Sequence, residues 1–397
     1  MIITDFINKE VPFKFKGEKM KFNLSLGLFS SNDIDSGSKL LLKTIAQQTP
    51  LDKIKSVLDI GCGTGVIGIS LKKSCPDTSV TMCDRDALAI AFSEENSRLN
   101  GLDDLTIENK LALESLEDEQ FDLLISNIPA KAGESVLEDF FKRSVNFISP
   151  EGRVAVVIVA PLAEFAERTI DRYGHELLHK EATYHYTVFH FKGKKSENPT
   201  DDMSVYVRNH NDFYLKKTDY TLDTVYNIPD FDQPGFRITH AAEILDSYQI
   251  RGTGLFWNPG QGHIPVYSAI KRSNRFDKVI LSGRDLLQIK ITKRNLSKAL
   301  PDLETVELPL YTESQLPEFI EKESLDFAAF DIYPVTGVEW QHELKESART
   351  VLKPGGWFFV IGKSADIHKL LKDNKGFTPF LDKKYKGIRA ALFKRNK

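Results

Sequence analysis

The hydrophobic positions of this chain recur with two periods, and each period marks a different kind of element. Residues 11–22, Val-Pro-Phe-Lys-Phe-Lys-Gly-Glu-Lys-Met-Lys-Phe, alternate apolar and mostly basic positions. That is strand periodicity, and the glycine at 17 predicts a hairpin with one cationic face. Those lysines either meet an anionic ligand or keep an edge strand from pairing with another chain. From Ser36 the pattern turns helical and runs to the glutamines at 47 and 48, with Ser36 or Ser38 as the cap. A short apolar run at 57–60, broken by Asp59, predicts a strand, and 66–71 reads as helix. Further strands are predicted at 79–83, 105–109, 121–126 and 153–159, the last after a turn at 149–152. A helix over 87–100 takes Asp86 as its cap. Residues 184–191 alternate and predict an antiparallel edge strand that closes the unit. Strands alternating with helices predict a doubly wound α/β sheet.

The segment Lys192-Gly193-Lys194-Lys195-Ser196-Glu197-Asn198-Pro199 has the composition of a linker, so the 397 residues divide into 1–198 and 199–397. The second half repeats the first. Gly61 and Gly63 align with Gly260 and Gly262, Arg85-Asp86 with Arg284-Asp285, Asn127 with Asp331, and Pro150-Glu151-Gly152 with Pro354-Gly355-Gly356. In that alignment Asp59 becomes Trp257 or Asn258, Gly65 becomes Ile264 and Asp84 becomes Gly283. Residues 290–300 take the place of the helix after the second strand, and 388–393 that of the closing strand. The second half therefore reads as a degenerate copy, or as a second, divergent site built on Asp331 or His263.

Composition narrows the class. Hydrophobic residues make up 41% and charged residues 27%, as in a globular chain, and no apolar run reaches the length of a membrane span. The N-terminus lacks a basic segment followed by an apolar core, so neither an export leader nor a membrane location is expected. Three cysteines, Cys62, Cys75 and Cys83, are odd in number and lack zinc-ligand spacing. No metal and a reducing cytoplasm are the expectation. The net charge of −3 confines any nucleic-acid contact to local patches such as Lys271–Arg275, Lys290–Arg294 and Lys383–Lys386. On one shared face they bind phosphate; otherwise they are solvated surface.

The candidate chemistry sits at the ends of the predicted strands. Gly61-Cys62-Gly63-Thr64-Gly65 joins a strand to a helix, where glycines allow a sharp turn and let a ligand touch backbone N–H groups. Asp84 ends the next strand, about 20 residues on, where a carboxylate accepts ribose hydroxyls. Asn127-Ile128-Pro129 ends the strand at 121–126. An exocyclic amine on a base is a poor nucleophile, because its lone pair is delocalised into the ring. If the Asn127 oxygen and the Ile128 carbonyl accept its hydrogens, the lone pair is freed to point at an electrophile. Pro129 fixes the turn that aims them, and rate then comes from orientation and polar groups already in place.

These motifs carry a resemblance. Asp59 followed by Gly61, Gly63 and Gly65 resembles the first motif of class I S-adenosylmethionine-dependent methyltransferases rather than a G-x-G-x-x-G dinucleotide loop. The segment from Leu26 to Leu42, with Phe29, Asp35, Gly37 and Ser38, resembles the entry segment of the methyltransferase small domain family, which includes the ribosomal RNA guanine-N2 methyltransferases. Asn127-Ile128-Pro129 is similar to the Asn-Pro-Pro-aromatic motif of enzymes that methylate planar nitrogens. Here Ile128 stands for the first proline and Ala130 for the aromatic, and Lys131-Ala132-Gly133 fits a branch with an aliphatic residue at that place.

The resemblance implies two tandem Rossmann-like domains with S-adenosylmethionine in the first. It places the cofactor near Phe29, Ser38, Asp59, Gly61, Gly63, Gly65, Asp84, Asn109 and Asn127. Asp59 would serve the amino-acid end, Asp84 the ribose and Asn109 the adenine. Catalysis falls to Asn127, Ile128 and Pro129. The implied reaction is methylation of an exocyclic base amine, guanine N2 in ribosomal RNA. A protein glutamine, a small amine, or an RNA-binding scaffold without turnover remain alternatives. Two-domain members of the family carry the competent copy second, whereas here it comes first.

Overall fold

The computed structural model describes residues 1–116, 119–129, 131–195, 202–372 and 375–397. Two compact units lie on either side of Tyr206, namely Ile2–Tyr206 and Val207–Lys397. The sequence boundary at 198, the second half of the linker (196–199) and Ala130 fall outside the described residues.

The first unit opens with a hairpin, β1 (Lys9–Phe15) and β2 (Glu18–Leu24), whose turn holds Lys16 and Gly17 at positive φ. Then come α1 (Ser36–Gln48), β3 (Ser56–Ile60), α2 (Val66–Ser74), β4 (Ser79–Asp84), α3 (Ala87–Leu99), β5 (Thr106–Asn109), β6 (Phe121–Asn127), α4 (Glu134–Arg143), β7 (Ile148–Val159), α5 (Ala163–Arg172), β8 (Glu176–Ala182) and β9 (Tyr186–Lys192). The sheet order is β5-β4-β3-β6-β7-β9-β8. The first five strands run parallel, and β9 is antiparallel to both β7 and β8.

Successive residues of a strand point to opposite faces. Val57, Leu123 and Ile125 therefore join the core under the hairpin, α1 and α2. Leu58, Ile60 and Leu124 join the core under α4. Both faces are covered, which explains why the parallel strands are apolar nearly throughout. Asp59 lies on the hairpin side, 1% exposed, among apolar neighbours.

Three expectations are corrected. The α1 cap is Asp35, whose side chain accepts from Ser38 N–H, and neither serine fills that place. The stretch 149–152 is an irregularity inside β7: Phe121 pairs with Ile148, and Leu123 already pairs with Arg153. The closing strand β9 is not the edge. The outer strand is β8, which is solvated on both sides and so carries no apolar alternation to read.

The second unit repeats this plan with β10 (Val207–Leu215), β11 (Thr218–Val225), α6 (Phe236–Leu245), β12 (Arg251–Trp257), α7 (His263–Ile270), β13 (Arg275–Gly283), α8 (Leu286–Ala299), β14 (Glu304–Pro309), α9 (Leu316–Phe319), β15 (Leu325–Asp331), α10 (Gln341–Val351), β16 (Leu352–Lys363), α11 (Ser364–Leu370), β17 (Phe377–Tyr385) and β18 (Ile388–Arg395). Its sheet order, β14-β13-β12-β15-β16-β18-β17, matches the first strand for strand.

The register corrects the alignment of the two loops. Gly65 precedes α2 and Gly262 precedes α7, each in the left-handed region. Gly61 N–H donates to Cys83 O, and Asn258 N–H donates to Ser282 O in the same place. Asn96 bonds the backbone of Asn23 and Thr64; Asn295 bonds that of Asp223 and Gln261. Gly61, Gly63 and Gly65 therefore correspond to Asn258, Gly260 and Gly262. Asp59 corresponds to Phe256, since Asp59 pairs with Met82 and Phe256 with Leu281.

Candidate functional site

The carboxyl ends of β3, β4, β5 and β6 carry Asp59, the glycine loop, Asp84, Asn109 and Asn127. The loop 61–65 holds its three glycines at φ of 73°, 59° and 81°, a region that favours glycine. A Cβ at Gly61 or Gly63 would meet nothing within 4 Å, so the loop surface is open to a ligand. At Gly65 it would strike Ile69 and Ser93; that glycine serves close packing.

Asp59 sits beneath the first turn of α2. Its Oδ2 accepts the Gly68 N–H at 2.9 Å, and its Oδ1 has no hydrogen-bond partner among the described residues. Burial pushes its carboxyl up to about 7, because charge is disfavoured where water is excluded. Asp84 at the end of β4 accepts Gly63 N–H at 3.0 Å and Asp86 N–H at 2.9 Å. Burial again outweighs those bonds and raises it to about 6. Each oxygen keeps a second lone pair for a hydroxyl. Asn109 donates to Asp84 O at 2.8 Å, which fixes the end of β4, and its Oδ1 is buried without a partner among the described residues. Two orphaned buried oxygens and an open glycine loop suit a cofactor with an ammonium, a ribose and an adenine. One orphan lies at Asp59 and the other at Asn109.

Asn127 is set differently. Its Nδ2 donates to Asp35 Oδ2 at 2.9 Å and to Ser38 Oγ at 3.0 Å. Asp35 also accepts the Tyr186 hydroxyl at 2.8 Å, and that contact places Tyr186 against α1. A Cβ at Gly37 would fall 2.7 Å from Asp35 Oδ2 and 2.9 Å from the Tyr186 ring, so only glycine fits there. Ser38 thus holds Asn127 in place. Ile128 is buried and its N–H donates to Val157 O at 3.0 Å, which ties the motif to β7, while Pro129 is exposed. Phe29 stands 73% exposed on the segment between β2 and α1. Asp35, which bonds Asn127, and Tyr186, which bonds Asp35, were given no role by sequence reasoning. The one signal was the acid of the entry segment, which the spacing alone leaves without a role.

The second unit keeps the backbone and loses the side chains. Phe256 stands for Asp59, Gly283 for Asp84 and Pro309 for Asn109. Gln288 Oε1 accepts the Gly260 N–H at 3.1 Å, the bond that Asp84 makes to Gly63 in the first unit. No cluster of side chains that could hold a metal occurs among the described residues. No helix among them is long and apolar enough to cross a membrane.

The basic runs are partly engaged within the protein. Lys293 pairs with Glu307 at 2.8 Å, and Arg294 pairs with the buried Asp223 at 2.6 Å. Lys290 lies 3.8 Å from Glu307.

Known proteins share this arrangement. Residues 19–189 match the family model described as methyltransferase small domain. An uncharacterised protein of Bacillus subtilis is 29% identical over 153 residues, 38% of this chain and 75% of its own length. The ribosomal RNA small subunit methyltransferase C of Photobacterium profundum is 31% identical over 156 residues, and the match spans 43% of that protein. A solved T. thermophilus 16S rRNA N2 methyltransferase, in complex with AdoMet and guanosine, superposes with a TM-score of 0.67 at 15% identity and covers both chains fully. At that identity the likeness is one of fold, and it extends to both units. The matched segment takes in most of β2 to β9, with the glycine loop and the Asn127 turn inside it, and over that segment the chain is similar to the methyltransferase small domain family.

Proposed function

We propose that this chain is an S-adenosylmethionine-dependent methyltransferase that acts on an exocyclic base amine, guanine N2, in ribosomal RNA. The observation that carries this reading is the fixed amide of Asn127. Its nitrogen faces the Asp35 carboxylate, which can only accept, so its oxygen is the end left for a substrate. An oxygen fixed at a strand end accepts an amine N–H and turns the nitrogen lone pair away from the ring. S-adenosylmethionine supplies the electrophilic methyl group when bound. The Asp59 Oδ1 without a partner suits its ammonium, Asp84 its ribose hydroxyls and Asn109 Oδ1 its adenine amine. Asn127 then orients, and no general base is required of the chain; orientation supplies much of the rate. The family likeness of the first unit and the printed activity of the Photobacterium relative support the methyl-transfer reading and the RNA substrate. In this reading residues 1–198 do the chemistry and residues 199–397 hold substrate.

The test is methyl transfer from labelled S-adenosylmethionine to ribosomal RNA, followed by separation of the nucleosides. Label recovered as N2-methylguanosine is the expected result. Label on no nucleoside, with the cofactor bound, would overturn the reading.

A further inference from the structure

The second unit contains a cavity of about 170 Å³ at the place where the first unit keeps Asn127. Its floor is the carboxyl ends of β12 and β15, with Phe256, Trp257 and Phe330, and one side is α6. The volume is below the roughly 300–1,000 Å³ of sites for drug-sized ligands. It has room for a single ring system. The second glycine loop lines another side of the cavity, with Asn258, Gly260 and Gln261, but the acids that would hold a cofactor there are lost, because Phe256 occupies the position of Asp59 and Gly283 that of Asp84.

The polar end of the cavity exchanges the partners seen in the first unit. Asp331 stands where Asn127 does, and Arg237 stands where Gly37 does. Arg237 Nε lies 2.5 Å from Asp331 Oδ1, and the guanidinium also donates to Ile332 O at 2.8 Å. The Tyr333 ring sits 4.1 Å from the guanidinium and is 56% exposed, so it forms the rim. The Arg237–Asp331 pair is neutral, and Asp230, whose carboxylate accepts the Gly235 N–H at 2.8 Å, lines the cavity as well, so no positive charge is in excess and a phosphate is disfavoured. It offers an acceptor beside a donor, and the remaining walls are mostly apolar. The complement is a flat, neutral ring whose edge carries a donor beside an acceptor. That matches the edge of a nucleobase, and a base can enter an enclosed cavity only when it has left its pair and stack.

We propose that this cavity captures one unpaired nucleobase of the RNA, its polar edge on Asp331 and Arg237 and its exposed face beside Tyr333. The inference rests on the RNA-methylation reading. It assigns the second unit a defined base contact instead of diffuse phosphate affinity.

The chain provides its own reporter. All three tryptophans, Trp257, Trp340 and Trp357, lie in the second unit, and Trp257 lines the cavity. The experiment titrates the full chain with guanosine, then with ribose 5-phosphate, and follows tryptophan emission excited at its red edge. Guanosine should change emission saturably and ribose 5-phosphate should not. The double variant Arg237→Met, Asp331→Leu removes both polar groups without stranding a buried charge. It should bind guanosine at least about tenfold more weakly and bind S-adenosylmethionine as the parent does. Ala241→Leu, which fills the cavity from α6, provides the second variant. No saturable emission change in the parent overturns the proposal, as does undiminished binding in both variants. Methyl transfer by a parent that shows no emission change would sink this inference and leave the proposed function standing. Saturable emission without methyl transfer would do the reverse.

Discussion

Asn127 Nδ2 lies 2.9 Å from Asp35 Oδ2, and that contact decides which end of the amide a substrate meets. A carboxylate cannot donate, so the Asn127 nitrogen is held toward α1 and the oxygen away from it. Asp35→Asn would let the amide of Asn127 bond in either orientation while an Asn still caps α1. Single-turnover methyl transfer should fall about tenfold, the equivalent of one lost charge-assisted bond, with cofactor affinity unchanged. An undiminished rate would show that Asp35 only caps the helix.

Asn127→Ala should separate binding from turnover. The side chain meets the target amine in this reading, so a cofactor titration should match the parent. The rate should fall by about 10²–10³, the usual loss for one preorganised polar group. Asn127→Asp copies the second unit's Asp331 and can still accept the amine hydrogens. It sets an anion against the Asp35 carboxylate, so partial activity at most is expected. Parent-like turnover in Asn127→Ala would remove the orientation mechanism.

Cofactor stoichiometry should be one per chain. Phe256, Gly283 and Pro309 replace Asp59, Asp84 and Asn109, and they leave those three positions without a side-chain acceptor for an ammonium, a ribose or an adenine amine. Calorimetry should count one site, weakened by about 1–3 kcal/mol in Asp84→Ala. Two equivalent sites would contradict the loss of function in the second copy.

How much of this was legible in the sequence depends on chain distance. Asp59, the glycines, Asp84 and Asn127 each sit in a short local pattern, and all proved to lie at strand ends on one side of the sheet. Asp35 is tied to Asn127 across 92 residues and to Tyr186 across 151, and no local period links such positions. The second glycine loop was misread for a specific reason. Glycines at alternate positions superpose equally well after a slide of two residues. Only pairing within the sheet, Phe256 with Leu281 and Trp257 with Ser282, selects one register.

Cofactor affinity should rise with pH. Burial holds the Asp59 carboxyl up at about 7 and that of Asp84 at about 6, against an ordinary value of 3.8. The free protein therefore keeps protons that the unfolded chain has released. Its stability from these groups is full below about pH 4 and is lost as pH rises toward 7. A cationic ligand that needs both carboxylates ionised must displace those protons. Affinity should climb between about pH 5.5 and 7.5, and calorimetry in buffers of different ionisation enthalpy should detect proton release. Asp59→Asn should flatten the upper part of the profile. A profile flat in the parent would mean that the ligand does not read these carboxylates.

The cluster around Asp223 should govern stability and not RNA affinity. The Asp223 side chain is 2% exposed and meets Arg294, Lys298 and His210. Burial pushes its carboxyl up, but the bonds from Lys298, Arg294 and His210 prevail and hold it below the ordinary 3.8. The sign is thus opposite to that at Asp59. The stabilisation is present above about pH 4 and is lost as pH falls through the lowered value. Arg294→Ala removes one of three partners and should destabilise the second unit by about 1–3 kcal/mol, read as a lower midpoint in urea. Read from the sequence, Arg294 belongs to a basic run that is either phosphate-binding, in which case its neutralisation flattens the salt dependence of RNA binding, or solvated surface. Paired to a buried carboxylate, Arg294 releases few counterions on binding, so that slope should stay as in the parent. Asp223→Asn supplies the control: it should lower the urea midpoint at pH 7, and the deficit should shrink in acid as the parent's own carboxylate protonates. A flattened salt slope with an unchanged midpoint in Arg294→Ala would return this side chain to the RNA surface.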